Sequence, residues 1–373
     1  MYYSSSIFDR NRDIEHIVNA AAGMGRYGFG GTFPKRLALL VATDIHRCQK
    51  QLINAVDYLN GMDALDAGIC LGDIQGANFT ENDGSWYFMA VNKTEKPFYT
   101  VIGNHDGGNS GKKEISGTKE EVKEKFILST RDAMGMPDLD KTYYSVRFAD
   151  KNVTLIVLDN YLAPEDRNEN GDFILSRSAE CLDQAEVDWL IATLTEVPQS
   201  DHVIIARHGY PDNAEPLDSY WTQKDRQINS EGSPYGACEV VPDIVDAWMR
   251  GGRLQKTYAP LPGYPTVPTL TAEADYTERG EGIFVTYLIG HVHYDVLGRS
   301  AVYPQQNVIC FASSANDDWQ NYDSDLPRQR GTKAEDCLTV AAVDTEGRKL
   351  HLVRVGSNIT SDLVERKYLT VEY

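Results

Sequence analysis

Short apolar runs alternate with helix-period segments in this sequence, and one run after another ends in glycine or in an acid or histidine. That alternation predicts an α/β protein built from βαβ units around a largely parallel inner sheet. The last third is richer in strand-like runs than in helical ones, which adds a second β-rich half. No internal repeat or low-complexity linker divides the 373 residues. One composite domain over 37–373, preceded by a polar lead-in at 1–36, is therefore expected.

The lead-in has a short helical pattern from Ile14 to Ala22, then Gly23 to Gly28, which matches GxGxxG. A dinucleotide site needs that motif between a strand and a helix. Here it precedes the first strand and reads as a loop. Leu37–Ala42 is a continuous apolar run, as in a strand covered on both faces. Leu52, Ile53, Val56 and Leu59 then recur at helical spacing within 49–60. A second strand, Gly68–Leu71, runs into Gly72-Asp73, and a helix at Ser85–Val91 leads to a third strand, Phe98–Ile102, which ends in Gly103-Asn104-His105-Asp106.

Lys112–Lys125 mixes both charge signs, as a solvated helix face does. Thr142–Phe148 and Val153–Leu158 read as a hairpin, Leu182 to Leu194 as a helix, and His202–Ala206 as a buried strand that ends at Arg207-His208. Residues 209–282 are rich in Pro, Gly, Tyr and Trp, with one helix near Val240–Met249. So long an irregular stretch in a compact domain is usually functional, which predicts a lid or specificity insertion. Ile283–Ile289 is a strand entering Gly290-His291-Val292-His293, and Val308–Ala312 with the hairpin Cys337–Val343 and Leu350–Val355 completes the β-rich half.

Composition narrows the partners. A net charge of -19 repels polyanions, so extended nucleic acid or an anionic membrane is disfavoured, while a small phosphorylated substrate held through cations is compatible. No apolar run reaches the length of a membrane helix. With Met1 as the native start, the polar first residues predict a cytoplasmic protein; with a trimmed leader, a secreted or periplasmic one. The six cysteines are scattered without CxxC, which reads as reduced thiols rather than a disulfide framework or zinc ribbon. Sequons at Asn78, Asn92, Asn152 and Asn358 carry no weight without evidence of secretion.

Chemistry concentrates at the strand exits: Asp44 and His46, Asp73, Asn104 to Asp106, His208, and His291 with His293. Each has a bland alternative. A lone Gly-Asp is usually a turn, a lone histidine is more often structural, and His-x-His alone is a weak metal signal. Five such blocks, each at a strand exit, make coincidence a poor explanation. In extended backbone, residues two apart face one side, so Asp44 with His46, and His291 with His293, are expected to point together. Parallel strands bring these exits to one carboxyl edge. Carboxylates, imidazoles and one amide oxygen without thiolates suit Mn, Fe or Zn. Seven donors exceed one tetrahedral site and suit two ions about 3.5–4 Å apart, with Asp73, alone after its strand, as the bridge. His16, His202 and His351 lie outside this pattern and read as structural.

The ordered set DxH, GD, GNHD, H and GHxH resembles the calcineurin-like metallophosphoesterase superfamily, which includes purple acid phosphatases and many phosphodiesterases. The resemblance spans Leu37 to the C-terminal hairpin. It implies a four-layer α/β/β/α sandwich of two mixed sheets flanked by helices, with a binuclear centre at the strand ends. It further implies that Asp44, His46 and His293 hold one ion, that Asn104, His208 and His291 hold the other, and that Asp73 bridges them. His105 would stand just outside, oriented by Asp106. The block ARHGYP departs from relatives that have Gly or Ser before the histidine, so Arg207 and Tyr210 are expected to shape the pocket.

The implied activity is metal-dependent hydrolysis of a phosphate mono- or diester by a hydroxide bridging the two ions, with His105 as proton donor. Arg47, Asn109, Arg207 and Tyr210 are candidate substrate contacts. The rivals are a non-catalytic binding or scaffold protein that keeps the fold, and a nuclease, which the acidic surface disfavours.

Overall fold

The computed structural model describes residues 36–76, 78–79, 84–210, 214–217, 233–235, 239–264, 266–315, 335–356 and 368–373. Residues 1–35 of the lead-in, with its helical pattern and the GxGxxG match, lie outside them, as does Asn358. In chain order the first half comprises β1 (Arg36–Ala42), α1 (Gln49–Gly61), β2 (Ala67–Cys70), α2 (Ser85–Val91), β3 (Phe98–Thr100) and α3 (Lys119–Val122), which continues as a π-helical turn over Lys123–Leu128. Then come β4 (Tyr144–Phe148), β5 (Val153–Val157), α4 (Gln184–Glu196), β6 (His202–Ala206), β7 (Ala214–Pro216) and α5 (Val240–Met249). The chain continues with β8 (Arg253–Tyr258), β9 (Leu270–Asp275), β10 (Ile283–Ile289), β11 (Val296–Ser300), β12 (Asn307–Cys310), β13 (Cys337–Asp344), β14 (Lys349–Gly356) and β15 (Tyr368–Glu372).

Two mixed sheets form the centre, in the orders β15-β14-β13-β1-β2-β3 and β4-β5-β6-β10-β12-β11-β7. Strands β1, β2 and β3 are mutually parallel, as are β5, β6, β10 and β12. Alternation along β6 shows how the sheets stack. Ile204 and Ala206 join the core shared with Leu39 and Ile69 of the first sheet, whereas Val203 and Ile205 join the core beneath α4 and α5. Side chains of period two thus stitch one strand into two cores. Leu52, Ala55 and Leu59 of α1 cover the outer face of the first sheet, each leucine gaining about 1.5–3 kcal/mol from burial. The layers are helix, sheet, sheet, helix.

Two expectations fail. The polar stretch 112–125 is not one helix: α3 starts only after Thr118. There Thr118 Oγ1 accepts the Glu121 N–H while Glu121 accepts the Thr118 N–H, a capping box written in the sequence as T-x-x-E. The segment 209–282 is more regular than its composition suggests. β8 and β9 pair as an antiparallel hairpin, and Tyr258, Leu270, Ala272 and Ala274 pack beside α4 and α5. Its described part therefore builds the outer layer of the second sheet and, as β7, that sheet's edge strand, while 211–213, 218–232, 236–238 and 265 lie outside the described residues. The short alternation in LTAEAD was masked because two of its three buried positions are alanines.

None of the five described cysteines is joined in a disulfide. Among the described residues no helix is long and apolar enough to cross a membrane.

Candidate metal centre

The carboxyl ends of β1, β2, β3, β6 and β10 meet at one rim, where backbone hydrogen bonds tie their exit loops together. The Asp44 N–H donates to Gly72 O at 3.0 Å, His46 N–H to Asp73 O at 2.9 Å, and Gly290 N–H to His208 O at 3.0 Å. The exits are left-handed rather than extended. Asp44, His46, Asp73, His291 and His293 all have φ between 45° and 65°. Asp and His tolerate this region better than most residues, and such backbone clusters at functional sites. The simple two-residue alternation therefore fails for His291 and His293, which face different groups, whereas Asp44 and His46 still meet at one.

Those groups are Asp44, His46, Asp73 and His293 on one side and Asp73, His208 and His291 on the other, with Asp73 common to both. In the first, His293 Nε2 lies 3.2 Å from Asp44 Oδ1. His46 Nε2 lies 3.0 Å from His293 Nε2 and 3.8 Å from Asp73 Oδ2. In the second, His208 Nε2 lies 3.2 Å from Asp73 Oδ2. Asn104 Oδ1 sits 3.0 Å from His208 Nε2 and 2.9 Å from His291 Nδ1.

Backbone carbonyls select which ring nitrogen faces inward. His46 Nδ1 donates to Gln75 O at 3.0 Å and His208 Nδ1 to Leu71 O at 2.6 Å. A carbonyl can only accept, so each of these rings keeps a proton on Nδ1 and, when neutral, presents a bare Nε2 to the rim, the state a cation requires. The carboxylates are divided in the same way. Asp44 Oδ2 accepts from Thr43 Oγ1 and the His291 N–H, and Asp73 Oδ1 accepts from the His105 N–H. Their other oxygens, Asp44 Oδ1 and Asp73 Oδ2, are buried without a hydrogen-bond partner.

Orphaned buried carboxylate oxygens among imidazole nitrogens fit divalent cations. A 3.0 Å gap between His46 and His293 nitrogens matches two donors about 2.1 Å from one ion at right angles. Two neutral imidazole nitrogens so close otherwise gain at most one hydrogen bond. The electrostatics agree. Burial would raise the Asp44 carboxyl, yet His293 and His208 draw it down to about 2. Burial would likewise raise Asp73, and His208 with His105 holds it well below the ordinary carboxylate range. His208, although buried, is pushed up to about 10 by Asp73, while burial and His208 lower His291 to about 4. Protons on the histidines here provide positive charge that a bound cation would replace.

Glycines allow the close approach. A Cβ on Gly290 would stand 2.0 Å from Thr43 Oγ1, and one on Gly103 would stand 2.2 Å from the Asp73 nitrogen.

Other candidates fall differently. His105 stands beside the centre, Nε2 3.8 Å from Asp73 Oδ2. Asp106 does not touch its ring. It accepts the Gly103 N–H at 2.7 Å and the Gln75 N–H at 2.9 Å, so it braces the loop backbone instead. Burial and Asp73 push its carboxyl up to about 7. Arg47 is exposed next to His46, and Asn109 is exposed over His105. Arg207 and Tyr210 do not line an open pocket. Arg207 is buried and donates from Nε to Gly209 O at 2.7 Å, and Tyr210 packs 5.6 Å from the Tyr287 ring in the outer core. Thr43, Gln75 and the Leu71 carbonyl were missed by sequence reasoning. Two of them act through backbone atoms that every residue carries.

A family model described as calcineurin-like phosphoesterase matches residues 37–252. Among curated proteins no sequence matches. Solved structures with a similar chain path include purple acid phosphatase PPD1 from yellow lupin, with TM-score 0.43 and 11% identity, covering 91% of this chain and 55% of that one. TT1561 from Thermus thermophilus gives 0.40 and 11%, covering 90% and 98%. The NAD nucleotidase NadN of Haemophilus influenzae gives 0.38 and 10%, covering 91% and 54%.

Proposed function

This chain belongs to the calcineurin-like phosphoesterase family, and from that premise we propose that it hydrolyses a phosphate ester of a small molecule at a binuclear metal centre. Asp44, His46 and His293 would hold one ion, Asn104, His208 and His291 the other, and Asp73 both. The observation that carries this reading is the sharing of Asp73 between two donor groups, its Oδ2 buried and unbonded.

Two bound cations would supply positive charge that neutralises the ester's phosphate oxygens and acidifies a water. The chain's own part is orientation and proton transfer. Asp44 and Asp73 each spend one oxygen on the protein, which fixes the direction of the other. The water oxygen, having given one proton up to solvent, forms a bond to phosphorus as the ester P–O bond breaks. The bonding pair leaves with the ester oxygen, which takes a proton from protonated His105. General acid help of this kind is typically worth about 10²–10⁴-fold.

Native metals are expected among manganese, iron and zinc, given the donor set. The test is metal analysis with turnover of aryl phosphate mono- and diesters. The wild type loaded with manganese should carry two ions per chain. Asp73→Ala should lose metal and fall to background with its far-UV spectrum unchanged. Near-normal turnover by a verified Asp73→Ala sample would reject the shared-ligand role.

A further inference from the structure

Among the described residues, a single side chain comes within hydrogen-bond distance of the His105 ring, and it is not the neighbouring carboxylate. Asn109 Nδ2 lies 3.3 Å from His105 Nε2, and Asn109 Oδ1 lies 3.5 Å from Asn104 Nδ2. Asn109 thus spans the candidate proton donor and a candidate metal ligand. His105 Nδ1 is buried without a partner, and Asp106 spends both oxygens on backbone N–H groups. Neither locks the ring's rotation.

The loop delivers Asn109 rigidly. The Gly108 N–H donates to His105 O at 2.9 Å, which closes a turn and brings residue 109 back over the ring. Gly108 has φ +90°, and a Cβ there would stand 2.4 Å from Ile115 O. Beyond it, the Gly117 N–H donates to Gly107 O at 3.0 Å, the Arg177 N–H donates to Ser110 O at 3.3 Å, and Ser116 Oγ donates to Ser110 O at 2.7 Å. The loop is closed on itself and pinned to the 173–177 segment.

We propose that Asn109 is the positioning residue of the proton donor: its carboxamide holds the His105 ring against Asn104, so that Nε2 stays turned toward Asp73 and the departing ester oxygen. A carboxamide suits both halves of the reaction. Its N–H donates to the ring once the proton has gone, and after a half-turn, which gives up the contact with Asn104, its oxygen accepts from the ring while the proton is present. An aspartate could only accept. This inference rests on the phosphoesterase reading above.

The experiment compares manganese-loaded wild type, Asn109→Ala, His105→Ala and the double variant on matched aryl and alkyl phosphate esters. An aryl oxide leaves without a proton far more readily than an alkoxide. Asn109→Ala should keep two manganese ions and lose roughly tenfold more kcat on the alkyl ester than on the aryl ester, a part of the whole general-acid contribution. Added to His105→Ala, it should have no further effect, because it acts through that ring. Equal losses on both esters, or an additional loss in the double variant, would make Asn109 a substrate contact and overturn the proposal; so would no loss at all, or loss of metal. If His105→Ala itself treats both esters alike, the donor assignment fails and Asn109 falls with it. If the loaded wild type cleaves neither ester, the function fails first.

Discussion

Asp73 turns one carboxylate oxygen to the protein and the other to the rim because the backbone around it is held in an unusual shape. Gly72, at φ +95°, lets the chain leave β2 sharply, and Asp73 follows at φ 51°. A Cβ on Gly72 would stand 2.7 Å from His208 Nδ1 and 2.8 Å from the Gly103 nitrogen. Gly72→Ala should therefore push His208 off its hydrogen bond to the Leu71 carbonyl as well as strain the turn. A left-handed penalty of about 1–2 kcal/mol corresponds to roughly tenfold in an equilibrium constant. Titration calorimetry with manganese should show affinity weakened by about that factor or more, together with a lower melting temperature. Unchanged affinity and melting would mean that the rim absorbs a methyl group freely, and the close-approach argument would be wrong.

Strand β6 joins the two functions that a strand can have. Its interior alternates between the two cores, its exit carries His208, and its first residue, His202, is structural. His202 Nδ1 lies 2.7 Å from the Tyr373 hydroxyl, and burial, with Arg348 nearby, lowers its pKa from 6.5 to about 4. Over that interval the unfolded chain binds a proton that the folded chain refuses, so stability rises with pH from about 4 to 6.5 and is lost as pH falls through the same window. His202→Gln should flatten this acid limb in urea titrations run with EDTA, which removes metal binding from the comparison. An identical acid limb in wild type and variant would show that His202 titrates normally. Apolar periodicity made β6 and its place in the sheet readable from the residues alone. Tyr373 as the partner was not readable, since it comes from the far end of the chain.

Across the whole molecule the two sheets are joined by more than apolar packing. Arg354 of β14, in the first sheet, is buried and paired through Nη2 with Asp295, which precedes β11 in the second. Asp295 also accepts the Ala312 N–H at 2.9 Å, and Arg354 Nη1 reaches Cys337 Sγ at 2.8 Å. Removing one member leaves a buried charge without compensation, which costs about 3–5 kcal/mol. Arg354→Met should lower the urea midpoint accordingly, and adding Asp295→Asn should restore part of the loss. A single variant within about 0.5 kcal/mol of wild type would mean that water reaches the pair. The sequence by itself determined the fold class and the kinds of donor at the strand exits, because apolar period and residue chemistry are local properties. Only the tertiary structure decided which donors share Asp73, that Asp106 braces backbone while Asn109 meets His105, and that Arg207 and Tyr210 turn inward. Those outcomes depend on side-chain direction, which left-handed exits and hydrogen bonds between distant segments impose and no local pattern records.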